Sequence, residues 1–303
     1  MAAARADRPS LATRIAFGFG AGAYGIKDGG FSYFLLLFYS QVIGVDARLV
    51  GLALTIALIL DAISDPIVGY WSDNFRSRWG RRHPFLYFSA LPTAGLYFLI
   101  WSPPAGWSQG ALFWYLLLLA IAIRTAITFY ETPSSALGPE LAKSYDERSA
   151  IYGWRLFFAW VIGSIMTVAN FSVIFPAFTT PAIPNGQFNR DAYALYGMIA
   201  SALIFVAIMV SALGTHRFIP HLREAPARRS LGLIAIFREI FETLANRDFT
   251  ALFLAAMFGA IAAGLSASLS FYFSAFFWGF SSEQIGLITT TVFVSAAIGG
   301  GLT

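Results

Sequence analysis

The sequence contains no cysteine, which excludes a disulfide framework and any thiolate-based metal site. It is also poor in charge. Asp, Glu, Lys and Arg make up only 12 % of 303 residues, against ~25 % in soluble globular chains. Three histidines, His83, His216 and His221, fall in predicted loops without zinc-type spacing. No nucleophile–His–acid set falls at membrane depth, so an enzyme is not expected. The stretch Gly20-Ala21-Gly22-Ala23-Tyr24-Gly25 spells a dinucleotide-binding G-x-G-x-x-G, but no strand precedes it and no βαβ unit surrounds it. Gly18 and Gly22 read instead as a small-xxx-small pair for close helix packing. Asn170-Phe171-Ser172 is a nominal glycosylation triplet, but it lies inside an apolar run.

What is present explains the scarcity of charge. Apolar residues make up 57 % of the chain and aromatic ones 17 %, more than a soluble fold of this length can bury. Eight apolar stretches, at roughly 15–44, 49–71, 84–102, 110–137, 151–177, 192–214, 249–279 and 284–303, approach or exceed the ~20 residues that a spanning helix needs. The fold class is therefore all-α, a polytopic membrane protein, with the bilayer as its main partner and no nucleic acid. The basic tail before the first stretch has no small-residue cleavage site after it, so the first stretch reads as an uncleaved helix.

The basic residues set the topology. With the N-terminus in the cytoplasm, fifteen of the twenty Lys and Arg fall in cytoplasmic loops, and only Arg48 and Arg190 fall outside. That bias predicts a plasma (bacterial inner) membrane protein with a cytoplasmic N-terminus. Residues 1–214 make a six-helix bundle, 215–248 a cytoplasmic linker, and 249–303 the start of a second bundle. Within the linker, Leu233, Ile236, Phe237, Ile240, Phe241 and Leu244 recur at helical spacing between charges, which predicts an amphipathic helix on the membrane face.

Residues 276–290 can be laid over 41–55 at a fixed offset of 235, which pairs Gly44 with Gly279, Gly51 with Gly286, Leu52 with Leu287 and Thr55 with Thr290. Helices 7 and 8 are then counterparts of helices 1 and 2, as parallel six-helix repeats require. The expectation is a fragment with one complete half, the first two helices of a second half, and about four helices missing.

Seven ionisable residues lie at bilayer depth: Lys27, Asp28, Asp61, Asp65, Arg124, Glu131 and Arg155. Charge there is costly and by default marks a site. Asp61 and Asp65 are one turn apart on one face of helix 2, so they either share a proton or hold a hard cation, with Ser64 adding a hydroxyl. The plainer alternative pairs them with neighbouring bases, of which there are three for four acids. At the repeat offset Asp61 falls on Ala296 and Asp65 on Gly300, an asymmetry that favours function over architecture. Thr128 and Glu131 share a face of helix 4. Arg124 stands too far along that helix to pair with Glu131, and is free to neutralise Asp28 or a helix 2 acid. Glu140 and Asp146-Glu147-Arg148 read as a solvated or gate-forming cluster.

Gly69-Tyr70-Trp71-Ser72-Asp73 followed by Arg76-Ser77-Arg78-Trp79-Gly80-Arg81-Arg82 resembles the helix 2–3 loop signature of the major facilitator superfamily. Lys27-Asp28, Asp61-x-x-x-Asp65-Pro66, Glu131-Thr132-Pro133, Gly138-Pro139-Glu140 and Arg155, in this order, resemble the glycoside–pentoside–hexuronide:cation symporters, the melibiose-carrier family. The resemblance covers the whole chain and is best over 15–160. It implies a twelve-helix transporter fold of two bundles, coupled to Na⁺ or H⁺, with no other cofactor. It places the coupling cation on Asp61 and Asp65, with Ser64 and Thr128 nearby; any metal there would be Na⁺ alone. A small sugar would then meet Asp28, Glu131 and Arg155, with Lys27 beside them. Asp73, Arg78, Arg81 and Arg82 would form the cytoplasmic gate.

Three positions depart from that pattern. Ser135 replaces the sugar-stacking Trp four residues after the helix 4 acid, and that acid is Glu131 rather than Asp. Arg124 replaces a small residue and adds a positive charge to the substrate cavity, where a guanidinium can stand in for Na⁺ and leave H⁺ coupling or none. The expected function is cation-coupled sugar symport. The alternatives are a carrier of a non-sugar, lipid-like solute and a non-transporting scaffold or sensor.

Overall fold

The structure is a computed structural model that describes residues 9–142, 144–222, 238 and 242–301. Its eight long helices match the eight apolar stretches. They are α1 (Leu11–Gly29, continuing through wider turns at Gly30–Phe34 and Phe38–Val42), α2 (Ala47–Asn74), α3 (His83–Ile100) and α4 (Gln109–Leu141). They continue with α5 (Tyr145–Ala169, extended to Ala177), α6 (Arg190–His216), α7 (Arg247–Tyr272, extended to Phe277) and α8 (Ser282–Gly301). No strand occurs among the described residues, and the single β-bridge joins Thr180 to Ile183. Among the described residues, five helices are long and apolar enough to cross a bilayer by length and composition: α2, α4, extended α5, α6 and extended α7. Most of the amphipathic 231–248 segment and of the linker lies outside the described residues.

Short polar residues start these helices by accepting the otherwise unpaired first amides. Asp46 accepts from the Arg48 amide at 2.8 Å, Asn189 from Asp191 at 3.0 Å and Asn246 from Asp248 at 3.0 Å. Ser10, Ser108 and Ser144 do the same for α1, α4 and α5 at 3.3 Å.

The first six helices form one packed unit. α1 lies against α5 and α6, α3 against α6 and α4, and α4 against α2. The α1–α5 contact is close because glycine removes the side chains that would separate the two backbones. A Cβ on Gly25 would stand 2.0 Å from the Ala159 carbonyl oxygen, and one on Gly18 would stand 2.9 Å from Trp154. The G-x-G-x-x-G run is thus a helix-packing device. Between α1, α3, α5 and α6 sits an aromatic core that includes Phe38, Tyr97, Trp101, Tyr193 and Tyr196, all buried. Its hydroxyls are partly satisfied internally, Tyr97 with Tyr196 at 2.8 Å and Tyr39 with the Ile100 carbonyl at 2.8 Å. Asn170 is also fully buried, so the glycosylation triplet is closed off.

The repeat seen in the sequence recurs in the backbone at the same offset. The wide turn at Phe38–Val42 has its counterpart at Phe273–Phe277, and the start of α2 at Ala47 has its counterpart at Ser282. The links turn on Gly44 and Gly279, at φ +84° and +66°, a left-handed conformation that glycine adopts without steric cost. α7 and α8 meet the first six helices mainly near these turns. Phe271 lies against Phe34, Tyr33 and Phe171 with ring centroids 4.5–5.7 Å apart, and Gly286 faces Phe171 and Ser172. Most of α7 beyond Phe271 is exposed.

Candidate functional site

The seven intramembrane charges resolve into three ion pairs and one remaining acid. Arg124 on α4 crosses to α2, its Nη1 donating to Asp61 Oδ2 at 2.7 Å. Arg155 on α5 crosses to α4, with Nη2 on Glu131 Oε1 at 2.6 Å and Nη1 on Ser134 Oγ at 2.7 Å. Lys27 Nζ lies 3.9 Å from Asp28 Oδ1. Asp65 has no basic partner within ion-pair distance among the described residues. It accepts instead from the Thr128 hydroxyl at 2.8 Å, while Asp61 Oδ1 stands 3.4 Å from the same oxygen.

Helical spacing accounts for this assembly. Asp61 and Asp65 sit one turn apart, and Arg124 and Thr128 match that spacing on α4, so two rungs of side chains meet across the α2–α4 contact. Ser64, placed with this group by the sequence, turns away from it. Its Oγ donates to the Asp61 carbonyl oxygen of its own helix at 3.1 Å. Arg124, expected either among the substrate-facing groups or against Asp28 or a helix 2 acid, stands on the helix 2 acid Asp61.

The Lys27 side chain is 4 % exposed while that of Asp28 is 54 % exposed. The ammonium lies 4.5 Å from the Tyr24 ring centroid, a cation–π contact that offsets part of its desolvation. Electrostatic interactions link Lys27 to Asp28, Arg124, Asp61 and Glu131, so the α1, α2 and α4 charges belong to one field. Glu131 Oε2 has no hydrogen-bond partner among the described residues, and Arg155 also lies 5.3 Å from the Phe17 ring centroid. Ser135 donates back to the Thr132 carbonyl at 2.9 Å and offers no flat apolar surface.

At the loop end of α2 a second cluster forms. Asp73 Oδ1 takes Arg82 Nη2 at 3.0 Å and lies 4.0 Å from Arg81. Glu140, at the end of α4, pairs with Arg81 and, at 3.1 Å, with Arg82. The Glu140 side chain is 7 % exposed, and it ties the α2–α3 loop to α4. The sequence set Glu140 among solvated or gate-forming residues without pairing it; Arg81 and Arg82, 59 and 58 residues earlier in an otherwise charge-poor chain, were the available signal. Arg78 does not join the cluster. It lies 5.8 Å from the Trp79 ring and has no carboxylate at ion-pair distance among the described residues.

A many-helix apolar fold with paired charges among its helices defines the class, a polytopic all-α membrane protein. The sequence model described as "MFS/sugar transport protein" matches residues 16–301, and the chain belongs to that family. An uncharacterized symporter of Synechocystis is 32 % identical over 243 residues, 78 % of this chain and 44 % of the relative. A putative glycoside/cation symporter of Escherichia coli is 29 % identical over 150 residues, 50 % of this chain and 32 % of the relative. The sodium-dependent lysophosphatidylcholine symporter 1 of Gallus gallus is 28 % identical over 186 residues, 61 % of this chain and 35 % of the relative. The chain thus matches less than half the length of each of these relatives.

Proposed function

We propose that the protein is a secondary carrier that moves a small polar solute, a glycoside first of all, by cation-coupled symport. The observation that carries this reading is the acid left over. Four carboxylates and three bases leave one negative charge, and it falls on Asp65, which among the described residues only a hydroxyl from a second helix holds. A monovalent cation arriving there removes the charge and relieves the repulsion between Asp65 and Asp61. Because the Arg124 guanidinium already occupies one face of Asp61, few oxygens remain for a hard metal ion, which favours a proton over Na⁺. Relatives named as symporters support coupling in general.

The solute would meet the Glu131–Arg155 pair, with Asp28 opposite on α1. Hydroxyls of a glycoside can accept from the guanidinium and donate to the carboxylates. Filling of the cation site favours the conformation that binds solute, and the two bundles rock about the site. Breaking and remaking the Asp73–Arg81–Arg82–Glu140 cluster would gate the loop end. The test is uptake by the full-length protein in proteoliposomes under an imposed pH or Na⁺ gradient, across a glycoside panel. Asp65→Asn should abolish gradient-driven uptake and leave membrane insertion intact; gradient-driven uptake retained in that variant refutes the reading.

A second reading has its own observation. Ser135 turns its hydroxyl into the helix, so the site has no aromatic platform for a sugar ring there, and one relative is named for lysophosphatidylcholine. An amphipathic solute with a charged head would use the same acids and Arg155. Counterflow of labelled glycosides against lysolipids separates the two.

A further inference from the structure

Three aromatic residues on α1 recur at seven-residue spacing, Phe17, Tyr24 and Phe31, two helical turns or about 10 Å apart at each step. The outer two are closed off. The Phe17 ring centroid lies 5.3 Å from Arg155 Cζ and that of Phe31 5.2 Å from Arg124 Cζ, and both residues are buried. Tyr24 stands between these two anchors and is 38 % exposed. Electrostatic interactions reach it from Asp28 on its own helix, from Glu131 and Arg124 on α4 and from Asp61 on α2. The ring therefore belongs to the charged site, and its hydroxyl has no hydrogen-bond partner among the described residues.

Exposure decides what a solute meets beside that ring. The side chains of Lys27, Arg124 and Arg155 are 4–12 % exposed, while those of Asp61, Glu131 and Asp28 are 20–54 % exposed. The bases lie behind and the carboxylates lie in front. Carboxylates in front accept hydroxyl protons and repel an anion. A cationic head is not drawn to the ring either, because the Lys27 ammonium already lies over it, 4.5 Å from its centroid. The solute that fits is neutral, with hydroxyls along its edge and an apolar C–H face for the ring. A pyranoside carries both on one rigid ring, whereas an acyclic polyol has hydroxyls without a fixed face.

We propose that Tyr24 is the specificity-determining residue of the solute site: the C–H face of a neutral pyranoside stacks on its ring while the sugar hydroxyls donate to Asp28 and Glu131. The assignment rests on the protein being a glycoside carrier, and it names the surface that recognises the sugar ring. The test measures KM and kcat of gradient-driven uptake by the full-length protein in proteoliposomes. The probes are methyl β-galactoside, methyl β-glucoside, methyl β-xyloside and glucuronate, with sorbitol as an acyclic competitor. Tyr24→Leu should raise KM for the preferred glycoside about fivefold and leave kcat within about twofold of the parent. Tyr24→Phe, which keeps the ring, should hold KM within about twofold of the parent. Competition by sorbitol should be the same in the parent and in Tyr24→Leu, because a chain without a fixed face gains nothing from the ring. Should the leucine variant not reach the membrane, Tyr24→Gln decides in its place. A KM unchanged by loss of the ring, sorbitol competition that weakens in step with glycoside affinity, or glucuronate preferred to methyl β-glucoside by the parent would each overturn the assignment and leave the carrier reading standing. A parent that takes up none of the three glycosides overturns both, and does so before any variant is made.

Discussion

Two charged groups lie at successive levels along one face of α4, and they differ in how their charge is balanced. Toward α5, Glu131 and Arg155 form a one-to-one pair, with the remaining guanidinium nitrogen on Ser134. Toward α2, two carboxylates share one guanidinium, and Asp65 is left to a hydroxyl. A balanced pair fixes geometry without calling for another ion. An unbalanced one is poised to bind a cation or a proton. One helix face therefore presents a positioning device at one level and a titratable site at the next.

The largest effect tests the unbalanced side. Asp65→Asn removes the surplus charge and should eliminate cation stimulation of uptake, a coupling expected at about 5–150-fold. Asp61→Asn should instead free Arg124 and leave Asp65 as its nearest acid, so it too abolishes coupling, by a different route. If both variants keep cation-stimulated uptake in proteoliposomes, the two groups do not differ in charge balance as described.

The balanced side should respond mainly in stability and solute binding. Arg155→Ala leaves Glu131 without its base, and removing one partner of a buried pair costs about 3–5 kcal/mol. Because Glu131 is partly exposed, the lower end of that range is expected, read as a fall in Tm. The double variant Glu131→Gln, Arg155→Gln should recover much of the stability while solute binding stays lost.

A smaller effect should come from the helix contact behind Arg155. Gly25→Val drives a side chain into the Ala159 carbonyl, an overpacking that costs about 1–3 kcal/mol. It should push α5 from α1 and weaken solute binding more than cation response, since Asp61 and Asp65 hang on α2 and α4. Equal loss of both responses would show that the two sides are mechanically one.

The smallest change sharpens the comparison. Arg124→Gln returns a second free acid to the α2 side and leaves the α5 side untouched. Na⁺ stimulation should appear or rise by about tenfold, roughly 1.4 kcal/mol, and the effect of a pH gradient should weaken. Uptake that is insensitive to Na⁺ in this variant would separate Arg124 from ion selection.

Much of this was legible in the chain because it is local. Apolar runs bounded by charges, Pro or Gly gave eight helices with ends near those observed, except that α5 starts at Tyr145 rather than at 151. The 235-residue offset located a shared turn that the backbone repeats at Gly44 and Gly279. Seven charges in apolar runs marked a candidate site, because charge at that depth is costly. Ser64 shows the limit of such reading: a hydroxyl at the right spacing still chooses between the site and its own backbone, and here it bonds to the backbone. Arg78 and Glu140 show it again, since a run of four arginines does not say which of them turns inward.

The sequence by itself determined the solvent the protein folds in, the helices, the internal repeat and the inventory of four acids and three bases. Only the tertiary structure decided which base took which acid, that Asp65 was the one left, and that Glu140 ties a loop to α4. The physical reason is range. Helix periodicity is written within a few residues of chain, whereas ion pairs between α2, α4 and α5 join residues 24 to 63 positions apart and depend on how the helices cross.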